Sequence, residues 1–204
     1  CASVNMLPPI NACLNPVIIY ENGINYAVID GKKYEFPLLG LYQKQNLALI
    51  LKATDFLKVR GYKINLKDGL KSVKWPARLE YNKSKNILID GAHNPDSALE
   101  LKKSLDFYFK NQKKIYIYST INTKDYSSIA KILFNPDDEI YFYEFSHKNA
   151  VSFEEYTKNV AWLKNIKKLD ITQSDRILNK PDLKVITGSL YMIGNLFEKR
   201  IIDK

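Results

Sequence analysis

Cysteine and histidine are scarce in this sequence. Two cysteines, Cys1 and Cys13, and two histidines, His93 and His147, are too few and too scattered for a structural zinc site or a disulfide framework. Both thiols are expected to be reduced and non-catalytic, and no metal ligands are assigned. No Gly-x-x-x-x-Gly-Lys-(Ser/Thr) occurs, and Gly31-Lys32-Lys33 is no substitute, so the chain has no phosphate-binding loop of its own. Long apolar runs are missing as well. Stretches such as Leu47 to Leu51 fall far short of the ~20 residues that cross a bilayer, and the N-terminus lacks a basic region followed by an apolar core. A cytoplasmic protein without membrane contact is expected.

What is present is an ordinary globular composition, 46% hydrophobic and 26% charged, in a chain of 204 residues that allows one or two domains. The net charge of +9 comes from 31 basic against 22 acidic residues, spread as single lysines and short pairs. A nucleic-acid binder would gather its basic residues on one face with aromatics between them. Here most tyrosines lie in strand-like segments such as Tyr116-Ile117-Tyr118, so a solvated lysine-rich surface is expected and no nucleic-acid partner. The same positive field would favour small anionic substrates.

The chain begins with Cys1 rather than Met and runs through Pro8-Pro9 and Asn15-Pro16 with little periodicity, which reads as a chain caught partway. Val17-Ile18-Ile19-Tyr20, Tyr26 to Ile29 and Tyr34-Glu35-Phe36 read as antiparallel strands joined by Asn22-Gly23 and Asp30-Gly31 turns. These are expected as edge elements of a larger sheet. Gln43 to about Arg60 reads as a mostly buried helix stopped by Gly61. The short polar stretch Lys67 to Lys74 marks a domain boundary, with an incomplete domain over residues 1–73 and a second domain over 74–204. Beyond it strands and helices alternate. Ile87–Asp90, Ile115–Ser119, Glu139–Phe145 and Lys184–Thr187 read as strands. Helices run to Tyr108, over Tyr126–Leu133, from Phe153 to about Leu163, and from Leu190, with one poorly patterned stretch before Lys184. That alternation predicts an α/β fold, a mostly parallel sheet wrapped by helices.

The densest stretch is Ile87-Leu88-Ile89-Asp90-Gly91-Ala92-His93-Asn94-Pro95. A short branched apolar run suits a strand buried on both faces. Asn94 then suits an N-cap, Pro95 the first helical position, and Asp96 and Glu100 the positive helix end. Asp90 and His93 are thereby placed at the carboxyl end of a strand, where ligands of open α/β sheets lie. Capping and loop bonding would account for several of these residues without any chemistry, and both readings stay open on spacing alone.

Trp75-Pro76-Ala77-Arg78-Leu79-Glu80 followed by Asp90-Gly91-Ala92-His93-Asn94-Pro95 resembles the C-terminal domain of folylpolyglutamate synthase/dihydrofolate synthase, in the Mur ligase superfamily. Gly40-Leu41-Tyr42-Gln43-Lys44-Gln45-Asn46 and Val185-Ile186-Thr187-Gly188-Ser189-Leu190-Tyr191 resemble two further segments of that family, in the same order. The resemblance implies a Rossmann-like Mur ligase C-terminal domain preceded by a remnant of the central ATPase domain. It also implies ATP-dependent ligation of L-glutamate to a folate or to dihydropteroate through an acyl phosphate, in a monomer. The phosphate loop, the Mg2+ ligands and most folate contacts would belong to an N-terminal ATPase domain preceding this chain, and the chain alone would be inactive. Another Mur-type amide ligase, or a non-catalytic α/β binding module, are the competing readings.

By the same resemblance Arg78, Asp90 and His93 carry the chemistry. Asn46, Arg78 and Asp90 contact ATP, and His93 and Ser189 contact the substrate. Arg78 has the rigid fork of donors that phosphate oxygens need, against an ordinary surface ion pair to Glu80. Asn46 could instead cap its helix, and Ser189 could cap the last one. Lys124-Asp125 matches only the end of a longer family motif. Two departures stand out. Ala77 replaces a usual Gly, which matters if that position needs φ > 0, and Asn149 in His147-Lys148-Asn149-Ala150 replaces a usual Arg.

Overall fold

The computed structural model describes residues 15–202. The expectations placed on Cys1, Cys13 and Pro8-Pro9 lie outside the described residues. The chain divides into two compact units, one formed by the segment up to Pro37 with Tyr42–Val73, the other by Leu38–Leu41 with the chain from Lys74 onward.

In the first unit β1 (Val17–Glu21), β2 (Ile24–Ile29) and β3 (Lys32–Glu35) form an antiparallel meander in the order β1-β2-β3. Both of its turns use left-handed residues, Asn22-Gly23 at φ 53 and 80 and Asp30-Gly31 at φ 48 and 73, as a two-residue hairpin turn twisted to match its strands requires. Among the described residues these strands make a sheet of their own and not the edge of a larger one, because β1 and β3 both pair only with β2. Helix α1 (Gln43–Val59) ends at Gly61, whose φ of 87 lets its N–H turn back to the carbonyl of Lys58 at 2.9 Å. It is not mostly buried. Gln43, Leu47, Leu51 and Thr54 make one covered row, while Leu49 and Val59 are 67% and 70% exposed. The polar stretch after Asn65 is itself a helix, α2 (Leu66–Ser72), whose first turn is capped by the Asn65 side chain accepting from Asp68 N–H.

The second unit holds β4 (Glu80–Asn82), β5 (Ile87–Asp90), α3 (Pro95–Tyr108), β6 (Lys114–Tyr118), α4 (Tyr126–Leu133), β7 (Glu139–Phe142), α5 (Phe153–Asn159), β8 (Ile166–Lys168), α6 (Ser174–Leu178), β9 (Leu183–Thr187) and α7 (Leu190–Glu198). The poorly patterned stretch before β9 thus contains a strand, a 3-10 turn and a short helix. The six strands run in the order β4-β5-β9-β6-β7-β8, with β4 antiparallel and the rest parallel. This is the mostly parallel α/β sheet that the alternation predicts.

Two packed layers cover the sheet. On one face Ile87, Ile89, Ile115, Ile117 and Ile186 meet Ile177 of α6 and Met192, Ile193 and Leu196 of α7. On the other the strand tyrosines are structural. Tyr118 lies 5.2 Å from Phe134 and 5.4 Å from Tyr156, and Phe142 stacks on Tyr156 at 4.6 Å. Such ring pairs add to the area that they bury. The last strand, β9, is inserted between β5 and β6. The chain leaves β5 for α3 on one face and β9 for α7 on the other, which opens a crevice at the carboxyl ends of neighbouring strands.

Candidate active site

Asp90 ends β5 in register with Thr187 at the end of β9, and Thr187 in turn pairs with Tyr118 at the end of β6. The loops that follow these three strands meet in a cavity of about 450 Å3 lined by His93, Ile121, Thr123, Lys124, Gly188, Ser189, Leu190 and Tyr191. His93 and Ser189 are therefore brought together.

The local sequence explains each position. Asn94 caps α3 by accepting from Ser97 N–H at 2.8 Å, and the Ser97 hydroxyl accepts from the N–H groups of both His93 and Asn94 at 3.0 Å. This reciprocal box fixes the chain on both sides of His93. The imidazole Nδ1 lies 2.7 Å from the Gly91 carbonyl. A carbonyl only accepts, so Nδ1 carries a proton, which in the neutral ring makes Nε2 the acceptor. Ser189 caps α7, accepting from Met192 N–H at 3.4 Å, and is only 3% exposed.

Thr123 and Lys124 sit on a loop clipped by an antiparallel bridge between Ile121 and Ala150, with Asn122 N–H on the Asn149 carbonyl at 2.8 Å and Val151 N–H on the Thr120 carbonyl at 3.1 Å. Asn149 serves this clip through its backbone, and its N–H also donates to His147 Nδ1 at 3.1 Å. His147 stacks on Tyr191 at 4.6 Å and 27°. Tyr191 and the full contribution of Lys124 are what motif reading underweighted. The usable signal was that both follow the carboxyl end of a central strand.

Asp90 does not line the cavity. It is 5% exposed, and its two carboxylate oxygens accept from Leu79 N–H at 2.9 Å and Ala92 N–H at 2.8 Å. Burial pushes its carboxyl above the ordinary range, against the pull of these two amides and of nearby Arg78. Each oxygen of the strand-end carboxylate thus accepts one loop amide, because two buried N–H groups need an acceptor.

The Leu79 amide belongs to a strained loop. Ala77 has φ 55 and Leu79 φ 45, so the position at which Ala replaces a usual Gly does need the left-handed region. Ala77 N–H donates to Glu80 at 2.9 Å and its carbonyl accepts from Gly91 N–H at 2.8 Å. Glu80 is therefore engaged with backbone, and among the described residues Arg78 forms no carboxylate ion pair. Arg78 is half-buried as a residue, with its guanidinium carbon 6.0 Å from the ring centroid of Trp75.

Asn46 belongs to the other unit. It is not the helix cap, since α1 starts three residues earlier, and its amide donates to Gln43 at 2.9 Å. Among the described residues no group of three or more His, Cys, Asp or Glu could hold a metal ion, and no helix is long and apolar enough to cross a membrane.

A mostly parallel sheet covered on both faces, with a histidine, a lysine and a buried serine gathered over the crevice between its central strands, defines an α/β domain with a candidate site at its carboxyl end. A family model described as the dihydrofolate synthetase C-terminal domain matches residues 77–184, more than half of the chain, and the chain belongs to that family. It is 29% identical over 197 residues to a probable dihydrofolate synthetase of Schizosaccharomyces pombe, covering 83% of this chain and 45% of that protein. It is 37% identical over 101 residues to folylpolyglutamate synthase of Lacticaseibacillus casei, covering 47% and 23%. In fold it resembles folylpolyglutamate synthase of Mycobacterium tuberculosis, solved with ADP and AMPPCP, with a TM-score of 0.73 at 21% identity over 92% of this chain and 47% of that one. The Thermotoga maritima folylpolyglutamate synthase gives a TM-score of 0.72, also at 21% identity, over 90% and 46%. The chain spans about half the length of these relatives.

Proposed function

We propose that this chain is the C-terminal part of an ATP-dependent ligase that joins L-glutamate to a folate or to dihydropteroate, and that it is inactive without the ATPase part. A folate carboxylate oxygen attacks the γ-phosphorus of ATP and ADP departs. The amine of glutamate then attacks the acyl carbon, loses a proton, and phosphate leaves. The barrier is one of charge and alignment, so cations and fixed donors beside the phosphoryl group contribute most.

On this reading Arg78 supplies that cation, in no direct carboxylate ion pair among the described residues and 6.0 Å from the Trp75 ring. Asp90 is a positioning residue that holds the Arg78 loop through Leu79. His93 and Ser189 seat glutamate, with Nε2 as the acceptor facing its ammonium group, and Lys124 offers a charge for a glutamate carboxylate. Asn46 contacts the adenine. The described residues hold no group of three His, Cys, Asp or Glu for Mg2+, so no step is assigned to the metal, and residues 1–73 are read as the end of the ATPase domain. The enzyme is read as a cytoplasmic monomer.

The observation that carries the proposal is the convergence of His93, Lys124 and Ser189 on one cavity, in a chain whose family membership is independent of that geometry. The test is incorporation of labelled glutamate by the complete gene product, with dihydropteroate and tetrahydrofolate as alternative acceptors, beside the 204-residue chain alone. ATP-dependent incorporation by the complete protein only is expected. Incorporation by neither, or by the isolated chain, would overturn it.

A further inference from the structure

Lys184 is the second residue of the central strand β9, between Ile87 of β5 and Ile115 of β6, and it is 1% exposed. Strand alternation puts its side chain on the same face as Ile186, the apolar layer under α6 and α7. An ammonium group there costs free energy unless it is paired. One of its three protons goes to the Lys180 carbonyl at 2.6 Å, which closes the turn from α6 into β9. That bond explains a donor but not a charge, since Asp182 acts on the amine only through space.

A cavity of about 460 Å3 opens at this end of the sheet, lined by Lys85, Asn86, Asp175, Asn179, Lys180 and Lys184. It lies at the amino ends of β5 and β9, a strand length or roughly 13 Å from the candidate active site. Lys180 is tied to Glu139 at 2.8 Å, and the Asn86 amide to the Pro181 carbonyl at 2.8 Å. The Asn179 side chain makes no hydrogen bond within the described residues and, like Asp175, is exposed at the cavity mouth. Asp175 is exposed, where solvent screens it. Ile87 and Ile202 also line the cavity, and apolar walls strengthen whatever charge interaction is made inside.

We propose that this second cavity binds a small oxyanion, phosphate or carboxylate, with Lys184 as its counter-charge and Asn179 as a neutral donor. The test is an NMR titration of the 204-residue chain with inorganic phosphate and, in a parallel arm, acetate, at constant ionic strength balanced with chloride. Saturable shifts at residues 84–87 and 179–184 are expected, including the Lys184 side-chain signal, with apparent affinity at least tenfold weaker in Lys184→Met. A response to one anion identifies the class. If Lys184→Met does not fold, the wild-type titration still decides. Silence in both arms, shifts confined to other regions, or binding unchanged in a folded Lys184→Met would overturn the proposal. None of these outcomes bears on the site at the carboxyl end.

Discussion

The carboxylate of Asp90 holds the amide of Leu79, accepting its N–H at 2.9 Å while the second oxygen takes Ala92 at 2.8 Å. Asp90→Asn keeps the shape but turns an amide NH2 toward one of the two N–H groups. Leaving a buried donor without an acceptor costs about 1–3 kcal/mol. Chemical denaturation of the variant should therefore show a loss of about 2 kcal/mol, and an unchanged midpoint would remove Asp90 as the clamp of the Arg78 loop.

The same residue sets the sign of a pH effect. Burial raises its carboxyl above the ordinary value of 3.8. Between that value and the folded one, the native state binds more protons than the unfolded state, so this group's contribution falls as pH rises through the window. A carboxylate held by a salt bridge does the opposite. Stability of wild type minus that of Asp90→Asn, measured from pH 3.8 upward, should slope down, and an upward slope would contradict the assignment.

Ala77 sits at φ 55 with 5% exposure. Left-handed backbone costs an alanine about 1–2 kcal/mol, but its buried methyl returns about 0.8 kcal/mol and it restricts the unfolded chain relative to glycine by about 0.4–1 kcal/mol. These terms nearly cancel, which explains how the fold accommodates Ala at a left-handed position. Ala77→Gly should change stability by less than about 1 kcal/mol. Ala77→Val, β-branched in the same conformation, should lose more than about 2 kcal/mol. Equal melting temperatures for the two variants would show that the loop relaxes.

Much of this architecture is readable from residues alone where local signals agree. Asn94-Pro95 marks the start of α3, because caps act within a few residues. The strand, the 3-10 turn and α6 between residues 166 and 178 were not legible, since elements of three to five residues have no period to display and are anchored by burial of Leu169 and Ile177 in the core. Helix α2 was hidden by Gly69 in a seven-residue stretch. In α1 apolar residues on both sides suggested burial, yet sequence does not say which row is covered. The meaning of Asp90 was ambiguous for a similar reason: a carboxylate at a strand end reads alike whether it faces a ligand or folds back onto loop amides.

Gly188 and Gly91 flank the candidate site and differ in tolerance. Gly188 has φ +110, and a Cβ there would lie 2.1 Å from the Ser119 carbonyl oxygen and 2.5 Å from the ring of buried Tyr118. Neither neighbour is free to move, so Gly188→Ala should lose about 3 kcal/mol or more. At Gly91 the nearest atom is Leu190 Cδ2 at 2.4 Å, on a side chain 46% exposed that can rotate away. Gly91→Ala should cost about 1 kcal/mol while shifting Leu190 in the cavity wall. Thermal melts of both variants check the order, and a reversed order would mean that the loop after β9 adjusts more readily than Leu190.

The last prediction separates Arg78 from His93 in the complete protein. If Arg78 meets charge that develops on the transferring phosphoryl group, Arg78→Ala should lower kcat, by about 3 kcal/mol of barrier as for other single electrostatic donors. His93 is placed differently, with a proton held on Nδ1 by Gly91 and Nε2 the acceptor of the neutral ring. His93→Ala should raise the glutamate KM and slow amide formation with little change in the ATP dependence, because the imidazole lines a cavity that Arg78 does not line. Steady-state kinetics with glutamate and ATP varied separately, on variants shown by melting to be folded, decide the matter. An unchanged glutamate dependence in His93→Ala would leave the histidine as a loop residue, held by Gly91 and Ser97 for the sake of the α3 cap.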